Sequence, residues 1–425
     1  MIDLVELREN PERFRVACKR KGIKFDVDSF LELDSRYREL KVALENMRAE
    51  QNSFNKVLPT LSGDAKQAKL KEMKEFSQKL KDEEGGFKQL EEDWKKAQLL
   101  IPGVPLDIVP DGATDADNVP VRNWGEIPQF SFPIKDHVEL GLELGLVDFE
   151  RGVKIAGSRS YFLKGDGARL QHALLSFALD FMHRKGYLVM DPPHVVNYGA
   201  MMGTGYFPGG EEQAYHLDDR DPEYYLIGTS EVSVASYHKD ELLSEQELPK
   251  RYAGYSPCYR REAGSYGKDT KGLYRIHQFY KVEQVVICKA DNDESSKLHK
   301  ELLTNSEEIL QALNLPYRVV DVCTGDMGQG QVYKNDIEVW MPSRNGYGET
   351  HSCSTFHEFQ ARRLALRYKD ANGKNQYCHT LNNTLVASPR ILIPILELNQ
   401  MPDGSVNIPA ALRPYMGGQE VIKKR

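Results

Sequence analysis

Several features are missing from this sequence, and each absence removes a class of explanation. No run approaches the ~20 apolar residues that a helix needs to cross a bilayer. The opening residues, MIDLVELREN, carry acids where a secretory signal would carry an apolar stretch, so the chain is expected to be cytoplasmic, with no membrane partner. Cysteine is sparse: Cys18, Cys258, Cys288, Cys323, Cys353 and Cys378 are spread over 425 residues with no C-x-x-C pair. That usage fits reduced thiols rather than a disulfide framework, and no structural zinc is expected. There is no surplus of positive charge either. The formal net charge is −7, whereas a polyanion binder usually shows a basic footprint. The deficit is uneven, since residues 1–100 hold 21 Lys/Arg against 20 Asp/Glu and the acidic excess lies entirely in the remainder. Any binding of a polyanion must therefore be local.

What is present suffices for two domains: 40% hydrophobic and 28% charged residues over 425 positions. Near the N-terminus Leu33, Tyr37, Leu40, Leu44, Met47, Gln51, Phe54 and Leu58 follow a 4-3-4-3 spacing, a heptad seam broken only by Gln51. Pro59, Ser62 and Gly63 punctuate it, and a second seam follows through Met73, Phe76, Leu80, Glu83, Phe87, Leu90, Trp94 and Ala97. Two such helices joined by a short turn predict an antiparallel hairpin. Gly85-Gly86 marks a candidate kink. The hairpin alone fits a dimerisation or spacer element as well as an arm reaching a large partner.

Pro102, Gly103 and Pro105 end the helical pattern and open a linker through about residue 130. Beyond it, strand-like runs (LVMDPP, LIGTSEVSV, IHQFYKVEQVVI, PYRVVDVC, DIEVWMP) alternate with amphipathic helices at 167–185 and 293–313. Several strands are separated by turns too short for a crossover helix, which predicts a largely antiparallel sheet with helices packed on it, an α+β domain. The expected domains are 1–103 and 104–425.

The segment YRREAGSYGKDTKGLYRIHQFYKVEQ (259–284) contains glycines and cations suggestive of a phosphate loop. A P-loop needs G-x-x-x-x-G-K-[ST]; here Glu262 stands at the first glycine and Asp269 follows Lys268, so that reading fails twice. A strand over Tyr259–Glu262, a basic loop over Ala263–Gly272 and a returning strand over Leu273–Ile287 fit better. Alternation then sets Arg275, His277, Phe279, Lys281 and Glu283 on one face. A nucleotide needs cations for phosphate and a flat ring for its base, and an amino acid needs a carboxylate for its ammonium. The same pattern would also serve as an amphipathic strand with a solvated polar face.

Further segments weigh on that choice: GARLQHALLSFALDFMHRKGYLVMDPP (167–193), TSE (229–231), CTGDMG (323–328), ETHSCSTFHEFQARR (349–363), HTLNNTLVASPRIL (379–392) and LRPYMGG (412–418). With EAGS-x-G-x-DT-x-G (262–272) and HQF-x-KVE (277–283), they resemble motifs 1, 2 and 3 of a class II aminoacyl-tRNA synthetase, specifically the seryl-tRNA synthetases, over essentially the whole chain. The class I signatures HIGH and KMSKS are absent.

The resemblance implies a class II synthetase-like antiparallel β-sheet flanked by helices, with an N-terminal coiled-coil hairpin that grips tRNA. It implies ATP and L-serine as substrates, Mg²⁺ as cofactor, tRNA(Ser) as acceptor with tRNA(Sec) an additional candidate, and a homodimer with the motif 1 helix at its interface. By the same resemblance Arg260, Glu349 and Arg390 are the catalytic charges. Arg260, Arg261, Glu262, Arg275, Ile276, Phe279, Glu349, Thr350, His351, Ser352 and Arg390 are implied to bind ATP, with Mg²⁺ on Glu349 and Ser352. Thr229, Ser230, Glu231, Arg260, Glu283, Asn382 and Thr384 are implied to bind serine. The chain departs from the family pattern at Asn383, Thr384 and Leu385 (commonly N-G-S-G-L from 382), at Pro389, at Lys268 and Lys271, and at His351 and Thr355. None of these removes a charged group. His277 is read as a structural histidine, Trp94 and Phe87 as hairpin seam, and Cys258 and Cys353 as packing residues. Two rival readings are a carrier-loading relative, which would lack the hairpin, and a degenerate binding module, which would lack the catalytic charges.

Overall fold

The computed structural model describes residues 1–218, 223–264 and 271–424. The chain forms two compact units, one of Asp3–Lys19 and Ile23–Pro102, the other of Met1–Ile2, Arg20–Gly22 and Gly103–Arg425.

In the first unit, α1 (Val27–Val57) and α2 (Gly63–Gln98) pair as the hairpin that the heptads predict. Asp26 caps α1 by accepting from the Asp28 and Ser29 N–H groups, two of the donors that a helix start leaves unpaired. Every residue of the α1 seam is at least half-buried. Tyr37 stacks on Trp94 at 4.2 Å and on Phe87 at 5.4 Å, which makes both aromatics seam residues. On α2 the exception is Glu83, which is exposed; Glu84 is the more covered neighbour and pairs with Arg48 at 2.8 Å. The α2 helix continues through Gly85-Gly86.

The second unit is built on eight strands: β1 (Val119–Trp124), β2 (Leu188–Met190), β3 (Lys250–Tyr259), β4 (Gln278–Cys288), β5 (Tyr317–Asp321), β6 (Tyr333–Met341), β7 (Gly346–His357) and β8 (His379–Ser388). They form one sheet in the order β1-β5-β6-β7-β8-β4-β3-β2. All pairings are antiparallel except β2 with β3. Two long helices, α3 (Asp166–Arg184) and α4 (Asn292–Ala312), lie within one residue of the expected spans and cover one face. Their Leu170, Leu174, Leu302 and Ile309 form the core with Val282 and Val286 of β4 and Leu381 and Leu385 of β8. Among the described residues no helix is long and apolar enough to cross a membrane.

Three expectations need correction. Part of the expected linker is a strand: β1 pairs with β5 as the sheet's edge, where Pro120 costs no interior ladder bond. In LIGTSEVSV the strand ends at Leu226, and Glu231–Ala235 is a short helix. The two strands expected over residues 259–287 are also shorter than the alternation suggests. β3 stops at Tyr259 and β4 starts at Gln278, so residues 273–277 are irregular. Of the loop between them, residues 265–270, including Gly267, Lys268 and Asp269, lie outside the described residues.

Strand periodicity decides which residues reach the open face. On β4 the even-numbered Val282, Gln284 and Val286 turn to the helices, leaving Phe279, Lys281 and Glu283 on the other side. On β8 the β4 register slips at Leu385, which leaves Leu385 and Val386 both in the core. This bulge changes the phase, so that Asn382 and Thr384 before it and Ala387 after it all reach the open face.

Candidate functional site

The open face holds a cavity of about 250 Å³ walled by β4, β7 and β8 with the loops around Tyr206, Thr229 and Ile276. Its chemistry separates into a cationic part and an acidic part.

Arg260 dominates the cationic part. It follows the end of β3, and its position is fixed through the backbone: its N–H donates to His277 O at 3.0 Å while His277 Nδ1 faces Arg260 O at 3.0 Å. The Arg260 Nε donates to Gly228 O at 3.2 Å, and its guanidinium sits 5.3 Å from the centroid of the Phe279 ring. His277 is thus structural, although it stands just ahead of the strand. Glu262 adopts φ 51°, a left-handed conformation unusual for a non-glycine residue, and its carboxylate meets Arg275 Nη1 at 3.3 Å. Arg390 stacks over Tyr274 at 4.3 Å and donates to Tyr274 O and Glu349 O, each at 3.1 Å. Burial, the largest influence on Glu349, would raise its pKa. Arg390, Lys334, Arg260 and Arg275 together outweigh burial and hold it below the ordinary value, so the carboxylate is ionised.

The acidic part is built from Glu231, Glu283, Thr229 and Thr384. Lys281 Nζ lies 2.5 Å from Glu283 Oε2 and 2.7 Å from Thr229 Oγ1. Thr384 Oγ1 donates to Glu283 Oε2 at 3.3 Å, and Gln360 Nε2 donates to Glu231 Oε1 at 2.7 Å. Burial first and the Glu283 charge second push the Glu231 carboxyl up to about 7, with Gln360, Lys281 and Arg260 opposing.

Among the residues singled out from sequence, Thr229, Glu231, Arg260, Glu262, Ile276, Phe279, Glu283, Glu349, Thr350, Ser352, Asn382, Thr384 and Arg390 line this cavity. Arg275 lines an adjoining opening with Glu262, Glu349 and Arg390. Three others face elsewhere. His351 is buried on the opposite side of β7, with Nε2 3.0 Å from Leu385 O and Nδ1 2.7 Å from Thr350 Oγ1, and burial lowers its pKa to about 4. The Ser230 hydroxyl donates to Gly254 O at 3.1 Å, and the Arg261 backbone N–H donates to Gln213 O at 3.0 Å. The departures Asn383 and Leu385 also face away: Asn383 Nδ2 donates to Leu302 O at 2.7 Å, and Leu385 is in the core.

Lys281 also lines the cavity, and its alternation with Phe279 and Glu283 is the signal in the sequence that places it there. Gln331 and Ser354 also line the cavity, and no pattern in the sequence points to them.

As a cation site, Glu349 and Ser352 offer hard oxygen donors, one of them ionised, which suits Mg²⁺. Among the described residues no group of three or more His, Cys, Asp or Glu could hold a metal. An ion on Glu349 and Ser352 would therefore draw most of its oxygens from a phosphate ligand and water.

Two family models match the chain: the seryl-tRNA synthetase N-terminal domain over residues 1–105, and the tRNA synthetase class II core domain (G, H, P, S and T) over residues 215–399. The serine–tRNA ligase of Deinococcus radiodurans is 46% identical over 422 residues, 99% of each chain. Among solved structures, seryl-tRNA synthetase from Pyrococcus horikoshii complexed with ATP superimposes with a TM-score of 0.91 at 35% identity, covering 100% of both chains. The cytoplasmic serine–tRNA ligase from Naegleria fowleri in complex with AMP gives 0.85 at 32% identity, covering 98% of this chain and 96% of that one.

Proposed function

The chain belongs to the seryl-tRNA synthetases, the class II aminoacyl-tRNA synthetases that act as serine–tRNA ligases, and from this we propose that its cavity activates L-serine with ATP and passes the seryl group to the 3′ end of tRNA(Ser). The observation that carries this reading is the division of one cavity into an arginine-rich part beside an aromatic ring and a part with two facing carboxylates. That division matches a substrate pair made of a nucleoside triphosphate and an amino acid.

In this reading adenine stacks on Phe279 with Ile276 below it, and Glu262 helps place the base. Arg275 and Arg390 hold the β- and γ-phosphates. A serine carboxylate oxygen forms a bond to the α-phosphorus while the bond from the α-phosphorus to the bridging oxygen breaks and pyrophosphate departs. Arg260, permanently charged and held by Gly228 O, neutralises the α-phosphate and orients the attacking carboxylate. No proton transfer is needed, because the carboxylate is already the nucleophile, so positioning and charge stabilisation supply the rate. Glu349 and Ser352 would hold Mg²⁺, which would supply charge neutralisation on the phosphates. The serine ammonium pairs with Glu231 and Glu283. The serine hydroxyl meets Thr384, whose Oγ1 already donates to Glu283. Alanine offers no hydroxyl to the free acceptor lone pairs of that buried oxygen, and threonine is excluded by fit. A ribose hydroxyl of the tRNA end then attacks the seryl carbonyl and AMP leaves.

We assign residues 1–103 to tRNA binding and 104–425 to catalysis, in a cytoplasmic homodimer. Support for the dimer comes from exposed apolar side chains beside α3: Ile155 and Phe162 are 71% and 44% exposed and share a groove with His172 of that helix. The test of the function is ATP–pyrophosphate exchange across the standard amino acids without tRNA. Exchange with serine and its loss in Arg260→Ala are expected. Exchange with glycine or alanine in place of serine would overturn the assignment.

A further inference from the structure

The CTGDMG run does not line the cavity. The chain that follows it gives that segment a task. Between Gly328 and Gln331 three backbone carbonyls converge on one cation: Lys21 Nζ donates to Gly328 O at 3.1 Å, Gln329 O at 2.9 Å and Gln331 O at 2.6 Å. Three bonds match the three hydrogens of an ammonium. Lys21 is 5% exposed, and Arg20–Gly22 belong to the same compact unit as the cavity. Burying a charge this far from water requires partners of this number and geometry.

The turn that Lys21 holds is pinned on other sides as well. Gln329 O also accepts from Gly103 N at 2.9 Å, and Gln331 N donates to Gly328 O at 3.2 Å. Gly330 packs flat against Phe359, where an added Cβ would lie 2.4 Å from the ring. The turn in turn fixes a cavity residue. Gln331 Oε1 accepts from Gly328 N at 2.6 Å, and its Nε2 donates to Ser354 Oγ at 2.7 Å. Gln331 and Ser354 both line the cavity, and Ser354 pairs across the sheet with Asn382, a neighbour of Thr384.

We propose that Lys21 is a positioning residue for the amino-acid part of the cavity. Its ammonium sets the 328–331 turn, the turn sets the Gln331 side chain, and Gln331 sets Ser354 beside Asn382. The choice of lysine follows from its shape. One nitrogen with three tetrahedral hydrogens can reach three convergent carbonyls, whereas the flat fork of an arginine spreads its hydrogens over three nitrogens. This role rests on the reading of the cavity as the serine-activating site.

The experiment is steady-state exchange on the full-length protein, with KM for serine and for ATP measured separately in wild type, Lys21→Met, Lys21→Arg, Gln331→Ala and Lys21→Met/Gln331→Ala. Thermal unfolding is followed in parallel. Methionine keeps most of the stem and removes the donors. Serine KM is expected to rise roughly tenfold in Lys21→Met, with ATP KM held within about twofold. Lys21→Arg is expected to shift the same way. The double variant should be no worse than the poorer single, because both changes act on one chain of contacts. A serine KM unchanged in Lys21→Arg and in Lys21→Met, an equal rise in both KM values, or multiplied effects in the double variant would overturn the role of Lys21. Should Lys21→Met fail to fold, the split in Lys21→Arg decides alone. A wild type without serine exchange would instead overturn the reading of the cavity itself.

Discussion

The most informative perturbation is a change of pH across neutrality, read through Glu231. Its carboxyl is covered, receives the Gln360 amide at 2.7 Å and feels the charge of Glu283, and burial with that charge brings it to about 7. In the proposed reading serine binds through its ammonium, which pairs with the ionised form. At pH 8 about nine-tenths of Glu231 is ionised and at pH 6 about one-tenth, so serine KM should be about tenfold higher at pH 6 than at pH 8. Glu231→Gln keeps the shape, loses a charge-assisted bond of about 1.5–3 kcal/mol, and should raise serine KM by roughly 10–150-fold. The comparison to make is serine-dependent exchange at saturating ATP from pH 6 to pH 8 in both proteins. Titration of ATP and of free serine is common to both, so the difference in slope belongs to Glu231. A flat wild-type profile, or an equal slope in Glu231→Gln, would refute the reasoning. The same shift bears on stability: with the folded value raised above 4.5, the contribution of Glu231 is full below that value and is lost as pH rises through about 7.

Removing the Phe279 ring should cost the stacking of one base, about 1–3 kcal/mol, and so raise ATP KM roughly tenfold while serine KM holds, as the same exchange assay reads. Leu385→Ala should lower stability in chemical denaturation by about 2–5 kcal/mol without admitting alanine as a substrate, because Leu385 faces the core rather than the pocket. In the hairpin, Asp34 is 1% exposed and accepts from Arg8 at 2.7 and 2.9 Å and from Trp94 Nε1 at 3.1 Å. Burial opposes those bonds, yet its pKa lies below the ordinary 3.8. Its contribution is therefore present above that value and lost as pH falls through the lowered one, and Asp34→Asn should cost about 1.5–3 kcal/mol at pH 7 in thermal unfolding, with a smaller difference in acid.

Local periodicity made much of this legible. The heptads of α1 and α2 carry their own seam, and α3 and α4 show an apolar face over about twenty residues, so their ends were readable to within a residue. Alternation likewise placed Phe279, Lys281 and Glu283 together. Features set by distant partners were not readable. β1 exists because it pairs with a strand about 200 positions further on, and β4 begins at Gln278 although its alternating pattern starts earlier. His351 looked like a site residue because it adjoins Glu349 and Ser352, but strand phase turns it into the sheet. The departures at Asn383 and Leu385 raised a question about specificity that the bulge in β8 answers, since both residues face the helices and leave Asn382 and Thr384 in the cavity. The link from Lys21 to Gln331 joins residues more than 300 positions apart and leaves no periodic trace.

The most direct test of the central claim is a crystal structure of the protein with a non-hydrolysable seryl-adenylate analogue. The account predicts adenine on Phe279, the phosphate surrogate at Arg260, the ammonium between Glu231 and Glu283, and the serine hydroxyl at Thr384. An analogue bound outside this cavity, or bound within it with its amino-acid part turned toward Arg390, would contradict it.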